Sequence, residues 1–271
     1  MQALKLTARQ GWGWLGAGFA IFRRNPAQLT LIVVGYWLIV AFVNALPMLG
    51  PVLATVTIPA FSVGLMSACR EIDRGRVLLL PTLFSGFRTA QLKTLLVLGG
   101  LYLAASLFAL LVSSLVDGGL FMQTMLGTYK PSEEDLAGGG LVIGAQTALI
   151  VMAPVIMAWW YAPVLVAWHG FGAGKALFFS FIACLRNWQA FLAYGACVAA
   201  FGAVLPGLVL GVFVAAFPGA AAFVSSLFVV PLLLILAPSL IASFYVSYRD
   251  VFTTAEMPPE AAPTAEPPAD A

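Results

Sequence analysis

Hydrophobic residues fall in six long runs along the chain, separated by short stretches that hold nearly all the charges. The runs cover about residues 27–46, 52–68, 94–116, 141–161, 190–213 and 222–245. A hydrocarbon core of roughly 30 Å is crossed by a helix of about 20 apolar residues, which is the length of these runs. The pattern therefore predicts an all-α, polytopic membrane protein with six transmembrane helices.

The predicted domain organisation is one transmembrane helical domain over residues 1–250, followed by a short tail. Residues 251–271 are rich in Pro, Ala and Glu and present no apolar face. Such a composition cannot bury enough apolar surface to fold. We expect this tail to be disordered and cytoplasmic.

A first amphipathic segment precedes the first run. Trp12, Leu15, Phe19 and Phe22 recur at helical spacing, and Arg9 and Arg23-Arg24 flank them. This spacing is typical of a helix lying along a membrane surface.

Similar segments precede the third and fifth runs, which suggests an internal repeat. Each has a small residue, a phenylalanine and then a basic–polar pair: Gly18-Phe19, Gly86-Phe87 and Ser180-Phe181 are the three small–phenylalanine pairs. The spacing from Pro59 to Arg70 also equals that from Pro238 to Arg249. We predict three tandem units, each an interfacial helix followed by a transmembrane hairpin; the alternative is chance, since these residue types are common at membrane boundaries.

The composition changes this picture only by excluding soluble classes. The chain is 62% hydrophobic and 9% charged, with a mean hydropathy of +0.99, whereas soluble domains carry about 25% charged residues. The net charge of +2 gives no reason to expect a nucleic-acid partner.

The positions of the charges predict the orientation. Five of the thirteen basic residues lie between Arg70 and Lys93, and only Lys130 falls on the side opposite the termini. Because cytoplasmic loops hold the Lys/Arg excess, both termini are expected in the cytoplasm.

Candidate chemistry is sparse. The six predicted spans contain no Asp, Glu, Lys, Arg or His, the residues that mark proton relays and ion pathways within membranes. The single histidine, His169, lies at a predicted boundary, and Cys69, Cys184 and Cys197 lack metal-ligand spacing and are expected to be packing residues. We therefore expect no enzymatic activity, no cofactor and no metal.

Prolines and polar residues within the spans leave an alternative open. Proline kinks can expose carbonyl groups to a binding cavity, or they can simply fit a bundle together. A vestibule lined by Ser62, Gln146 and Ser239 would favour a carrier, and a dry bundle would favour a scaffold. Gly195, Gly202 and Gly211 are expected at close helix contacts.

Five arginines at the predicted cytoplasmic boundaries are the candidate contact residues: Arg24, Arg70, Arg74, Arg76 and Arg186. Basic groups beside a membrane attract anionic lipid headgroups, and they can equally bind another membrane protein. The alternative is that the cluster at residues 70–76 only anchors the topology through local ion pairs.

Several different short motifs lie near the helix boundaries and carry a resemblance. They are Gly11-Trp12, Asn25-Pro26, Cys69-Arg70 with Asp73-Arg74-Gly75, Tyr161-Ala162-Pro163 with His169-Gly170, and Ala183-Cys184 with Arg186-Asn187. Over about residues 9–250 they resemble a family of uncharacterised bacterial inner-membrane proteins. More loosely, the layout is similar to the membrane domain joined to some glycerophosphodiester phosphodiesterases. The resemblance supplies no catalytic residues.

Two functional hypotheses follow from the sequence. The first is a non-enzymatic scaffold or envelope-maintenance factor that acts through lipid or protein contacts. The second is a carrier or channel for a neutral or lipid-like solute.

Overall fold

A computed structural model describes residues 4–47, 49–217, 219 and 221–252. The predicted disordered tail, apart from its first two residues, lies outside the described residues. Val251 and Phe252, which were predicted to belong to it, instead end the last helix and are buried.

The described residues form helices joined by short connections. In chain order they are α1 (Ala8–Arg24), α2 (Pro26–Asn44), α3 (Gly50–Asp73), a 3₁₀ helix (Leu80–Arg88), α4 (Leu92–Asp117), α5 (Leu120–Met125), α6 (Glu133–Ala137), α7 (Gly140–Trp159), α8 (Ala162–His169), α9 (Ala173–Arg186), α10 (Trp188–Ala199), a π-helical turn (Ala200–Val204), α11 (Leu205–Ala216) and α12 (Ala221–Phe252).

The prediction of an all-α protein with six candidate membrane spans is confirmed. The spans are α2, α3, α4, α7 with α8, α10 with α11, and the larger part of α12. Helix α3 continues past its predicted end at residue 68 to Asp73, because the polar residues of its last turn find partners on other helices. The predicted loop between α4 and α7 contains the two short helices α5 and α6.

The helices follow one another as three units, each a short outer helix and a hairpin. Unit 1 is α1 with α2 and α3; unit 2 is the 3₁₀ helix with α4 and α7–α8; unit 3 is α9 with α10–α11 and α12. Each outer helix packs mainly on the hairpin of the preceding unit. The 3₁₀ helix packs on α3, α9 packs on α7 and α8, and α1 packs on α10 and α12, so that the three units close into a ring.

The repeated small residue of each outer helix lies at this contact. A Cβ added to Gly18 would overlap with the backbone of Ser239 and Ser243 in α12, and one added to Gly86 would overlap with that of Ala60 in α3. In unit 3 the Ser180 hydroxyl donates to the Met157 carbonyl oxygen in α7, at 2.8 Å. The small residue before each phenylalanine is thus where an outer helix approaches the hairpin of its neighbour.

Helix α1 uses its two faces differently from the sequence-based expectation. Trp12 and Phe19, on the predicted apolar face, are 53% and 41% exposed and are available to lipid. The face that packs on the bundle carries Gly11, Trp14 and Gly18, and Phe22 of the predicted apolar face is also buried there. Trp14 is 1% exposed and makes edge-on contacts with aromatic rings of α10.

The fourth apolar run ends in Trp159, Trp160 and Tyr161, a placement typical of an interfacial aromatic belt, but in the structure the two tryptophans are half-buried and Tyr161 is buried. Tyr161 is fully buried, and its hydroxyl donates to the Ser247 hydroxyl of α12. Trp159 donates from Nε1 to the Leu98 carbonyl oxygen in α4, at 3.0 Å. Tyr161 therefore joins unit 2 to unit 3, whereas the Trp159 bond lies within the hairpin of unit 2.

One proline kink is used for helix packing. Pro238 cannot bond the Leu234 carbonyl oxygen because it has no N–H. That oxygen instead accepts a hydrogen bond from the Thr30 hydroxyl of α2, at 3.2 Å. The kink thereby connects unit 3 to unit 1.

The expected close packing at two of the three named glycines is wrong. Among the described residues, a Cβ added to Gly195 or Gly211 would meet no atom within 4 Å, whereas one added to Gly202 would make ordinary contact with Leu236. The close backbone approaches occur elsewhere, for example at Gly11 against Ala190 and at Gly99 against Val56. Sequence shows a glycine but not which neighbour faces it.

Candidate functional site

The helices α1, α3, α8 and α12 all terminate at one end of the bundle, here called the basic end. At its centre, the Asp73 carboxylate accepts bonds from two other elements. Arg249 donates to Oδ2 at 3.0 Å and the Tyr245 hydroxyl donates to the same oxygen at 3.1 Å, both from α12. Arg24, at the end of α1, lies 3.5 Å from Oδ1 and donates to the Asp73 carbonyl oxygen at 3.2 Å. Asp73 thus connects α1, α3 and α12.

Three of the five predicted contact residues come together beside Asp73. Arg24, Arg74 and Arg76 line an open cleft of about 440 Å³, together with Asn25 and Gly75 among others. Gly75 has a positive φ of 68°, which turns the chain sharply after α3 and carries Arg76 back towards Glu71. The turn and the end of α1 therefore bring these arginines to one surface.

The charges of the cleft are only partly neutralised. Arg76 pairs with Glu71 at 3.6 Å but is 61% exposed, and Arg24 is 56% exposed. Arg249 is the closer partner of Asp73. Within the described part of the chain, Arg74 makes no ion pair and its side chain is exposed. An anion entering the cleft would meet the exposed guanidinium of Arg74, beside the paired but exposed Arg24 and Arg76 and the carboxylate of Asp73.

Arg70 lies at the same end but has a different partner. Its guanidinium carbon is 4.6 Å from the centre of the Trp168 ring, a cation–π contact between α3 and α8. The neighbouring His169 lies 2.6 Å from the Tyr248 hydroxyl, measured from Nε2. Arg70 therefore holds units 1 and 2 together and does not line the cleft.

Arg186 is also separate from the cleft. It ends α9 and is exposed. The next residue, Asn187, is 1% exposed and is fully bonded. It accepts from the Leu6 amide at 2.7 Å and donates to the Leu4 carbonyl oxygen at 2.9 Å, so it fixes the segment before α1. The motif at residues 186–187 thus combines an exposed surface charge with a structural amide.

Sequence reasoning predicted local ion pairs around residues 70–76, and the Glu71–Arg76 pair agrees with it. It missed the long-range partners: Asp73 with Arg249, and Asp250, which accepts from Trp14 Nε1 at 3.0 Å. The sequence did offer one signal for these long-range partners. Arg249-Asp250 is a second charged pair, and Arg249 follows Pro238 at the same spacing at which Arg70 follows Pro59.

The cysteines contribute no reactive group in the structure. All three are free and buried. Burial raises the pKa of the Cys184 thiol, which lies in α9 outside the spans, to about 12, although the Ser180 hydroxyl opposes that rise. Among the described residues, no three His, Cys, Asp or Glu side chains are grouped so that they could hold a metal ion.

The sequence is similar to that of a probable inner membrane protein of Burkholderia thailandensis. The two are 34% identical over 261 residues, which span 94% of this chain and 96% of the relative. No family model matches the chain, and no solved structure matches it. Similarity of this extent, together with the six apolar helices, identifies the chain as a multi-pass inner-membrane protein that belongs to the same family as the Burkholderia protein.

Proposed function

We propose that this protein is a non-enzymatic scaffold or envelope-maintenance factor whose basic end faces the cytoplasm and binds anionic lipid headgroups. The observation that carries the proposal is the cleft formed by Arg24, Arg74 and Arg76. The looser resemblance to membrane domains joined to phosphodiesterases stays a prediction and contributes no residue to this proposal.

The proposed orientation is supported by the charge distribution on the six helices. The ends of α1, α3 and α12 carry arginines, whereas the segment between α4 and α7 carries Lys130 as its only basic residue. A Lys/Arg excess of this size favours the cytoplasmic side. Single cysteines placed by Arg74→Cys and Lys130→Cys should react with a membrane-impermeant maleimide from opposite faces of oriented vesicles.

A phosphate group fits the cleft better than a neutral ligand does, because three arginines line the cleft. Guanidinium groups bind phosphate through paired N–H donors, and basic residues near an anionic surface contribute about 1 kcal/mol each. The cleft opens at the end of the bundle, where α1 runs towards the start of span α2. A headgroup of the adjoining leaflet could enter it without leaving the membrane surface.

The test is lipid selectivity of the full chain in nanodiscs that contain both phosphatidylglycerol and phosphatidylcholine. We expect the wild type to retain the anionic lipid preferentially, as measured by native mass spectrometry. The double variant Arg74→Gln/Arg76→Gln should reduce this preference by about 10-fold or more, from about 1 kcal/mol for each charge.

The matched control is Arg9→Gln/Arg23→Gln, which removes the same charge from exposed positions of α1 outside the cleft. Equal losses in both double variants would show general attraction to the surface and would contradict a specific cleft. Retention of a stoichiometric protein in place of anionic lipid would assign the cleft to a membrane partner and would equally contradict the lipid proposal.

A carrier for a neutral solute is the second candidate, and one cavity favours it. A space of about 190 Å³ lies between units 1 and 2, beside Pro59 and Pro163, and the Ser62 side chain lines it. The other two residues of the expected vestibule differ in environment, since Gln146 is exposed and Ser239 is 2% exposed with its hydroxyl bonded to Ile235. A Ser62→Leu variant should abolish solute flux into proteoliposomes if this cavity is a transport site.

A further inference from the structure

The fourth span is interrupted where α7 passes into α8. In a continuous helix the Tyr161 amide would donate to the Met157 carbonyl oxygen. Instead, the Ser180 hydroxyl of α9 lies between these two groups: it accepts from the Tyr161 amide at 2.9 Å and donates to the Met157 oxygen at 2.8 Å. Pro163 has no N–H, so the Trp159 carbonyl oxygen also lacks its usual donor within the span. A broken span with freed backbone groups is typical of the sites at which membrane proteins bind small solutes.

The cavity of about 190 Å³ between units 1 and 2 lies beside this break, near the middle of the bilayer. Ser62 of α3 and Tyr102 of α4 line it, and Trp159 and Pro163 of the broken span are among the residues of the opposite wall. Ser62 lies about 12 Å along α3 from Arg70, and Tyr102 lies about 14 Å along α4 from the base at position 93, at the helical rise of 1.5 Å per residue. Half of the hydrocarbon core is about 15 Å thick, so both residues lie far from the water at the basic end.

The two hydroxyl groups of this cavity differ from the other hydroxyl groups nearby. Thr55 and Thr57 of α3 donate back to carbonyl oxygens of their own helix, as hydroxyl groups within helices commonly do. Within the described part of the chain, the Ser62 and Tyr102 hydroxyls make no hydrogen bond, and neither oxygen is enclosed by protein atoms. Hydrocarbon cannot pair with them, so their bonding capacity is available to a polar molecule in the cavity.

We propose that this cavity binds a small uncharged molecule with at least two hydroxyl groups, a short diol or polyol. Each of the two protein hydroxyls can both donate and accept a hydrogen bond, and a ligand hydroxyl can do the same. No charged side chain is among the described residues that line the cavity, so an ionised ligand would lose its hydration without gaining a counter-charge. The proposal names a substrate class for the second candidate function above and rests on the same cavity.

The size and the walls of the cavity limit the ligand further. A volume of about 190 Å³ equals that of about six water molecules at about 30 Å³ each, so the ligand is limited to about three or four carbons. Apart from the two hydroxyl groups, the walls are mainly aromatic and aliphatic, with the rings of Trp159 and Trp160 among them. These walls can contact the carbon chain of the ligand while its hydroxyl groups pair with Ser62 and Tyr102.

Two conservative substitutions test the two hydroxyl groups without filling the cavity. Ser62→Ala and Tyr102→Phe each remove one hydroxyl group and leave the rest of the side chain in place. The matched controls are Ser67→Ala in α3 and Tyr36→Phe in α2. They make the same chemical changes at half-buried residues that do not line the cavity.

The experiment is saturation-transfer-difference NMR of propanediol with the full chain in nanodiscs, from which the signal of empty nanodiscs is subtracted. We expect saturable binding to the wild type and to both controls. The dissociation constant should rise by about 5-fold or more in Ser62→Ala and in Tyr102→Phe, which is the loss expected for one hydrogen bond. Propanol, which has a similar size but one hydroxyl group, should bind the wild type about 5-fold more weakly than the diol does.

Three results would overturn the proposal: no saturable binding of the diol, equal dissociation constants for the wild type and all four variants, or binding of propanol as tight as that of the diol. Because binding is measured at equilibrium, its failure is distinguishable from a failure of transport. Binding of the diol without flux into proteoliposomes would contradict the carrier function and would support the binding site. The headgroup test at the arginine cleft is independent, since none of these variants alters an arginine.

Discussion

The contact between α1 and α12 gives a sharp test of the ring, through the substitution Gly18→Ala. The added Cβ would lie only 2.6 Å from both the Ser239 carbonyl oxygen and the Ser243 Cα. Favourable contact between such atoms occurs near 3.5 Å, so α1 would have to move by about 1 Å. Because the atoms it meets belong to backbone, a rotamer change cannot relieve the overlap.

The magnitude follows from two opposing effects. Overpacking of this kind costs about 1–3 kcal/mol, whereas replacing glycine by alanine within a helix gains up to about 1 kcal/mol. We expect a net destabilisation of about 1–2 kcal/mol for Gly18→Ala. The movement would also loosen Trp14, which α1 buries against α10.

The matched control is Gly16→Ala, on the same helix, where the new Cβ meets no atom within 4 Å. It should be neutral or stabilising by up to about 1 kcal/mol. The assay is unfolding of the purified protein in a mild detergent, followed by circular dichroism. If Gly18→Ala proved as stable as Gly16→Ala, the packing of α1 on the third unit would be wrong.

Further predictions concern the junction, the segment between α4 and α7, and the cysteines. Asp73→Asn should destabilise the protein by about 1–3 kcal/mol, because it weakens the charged hydrogen bond from the partly buried Arg249. Arg24→Gln should cost less than about 1 kcal/mol, because Arg24 is exposed. Equal shifts of the two unfolding curves would contradict the central position of Asp73 among α1, α3 and α12. Hydrogen bonds from the Ser132 amide, the Tyr129 hydroxyl and the Ser132 hydroxyl lower the pKa of Asp135. The stability that Asp135 contributes is therefore present at neutral pH and is lost as the pH falls through its folded pKa. Tyr129→Phe should raise that pKa in a carboxyl NMR titration, and an unchanged pKa would refute the contact between Tyr129 and Asp135. The three buried cysteines should resist maleimide at pH 8 until the protein unfolds, and rapid labelling of Cys184 in the folded protein would contradict its burial and raised pKa.

The motif-based repeat shows how far local patterns reach. The pairs Gly18-Phe19, Gly86-Phe87 and Ser180-Phe181 marked three outer helices in sequence, and the structure contains a short helix at each. The same pairs could not show that each outer helix packs on the preceding unit, because that depends on the path of hairpins far away in the chain. The candidate arginines lie in different places for the same reason. Arg24 lines the cleft with Arg74 and Arg76 only because α1 ends beside α3, whereas Arg70 contacts the Trp168 ring outside the cleft.

The sequence by itself determined the solvent, the helices and the positions of the basic residues at their ends, because apolar run length and charge position are local properties that the bilayer acts on directly. Only the tertiary structure decided which glycines touch backbone and which arginines share a cleft. Arg249 and Asp73 are 176 residues apart, and Gly18 meets the α12 backbone only because α1 packs on α10 and α12. Such features depend on how helices are placed around one another, and a helical glycine or a boundary arginine has the same sequence signature whichever neighbour it meets.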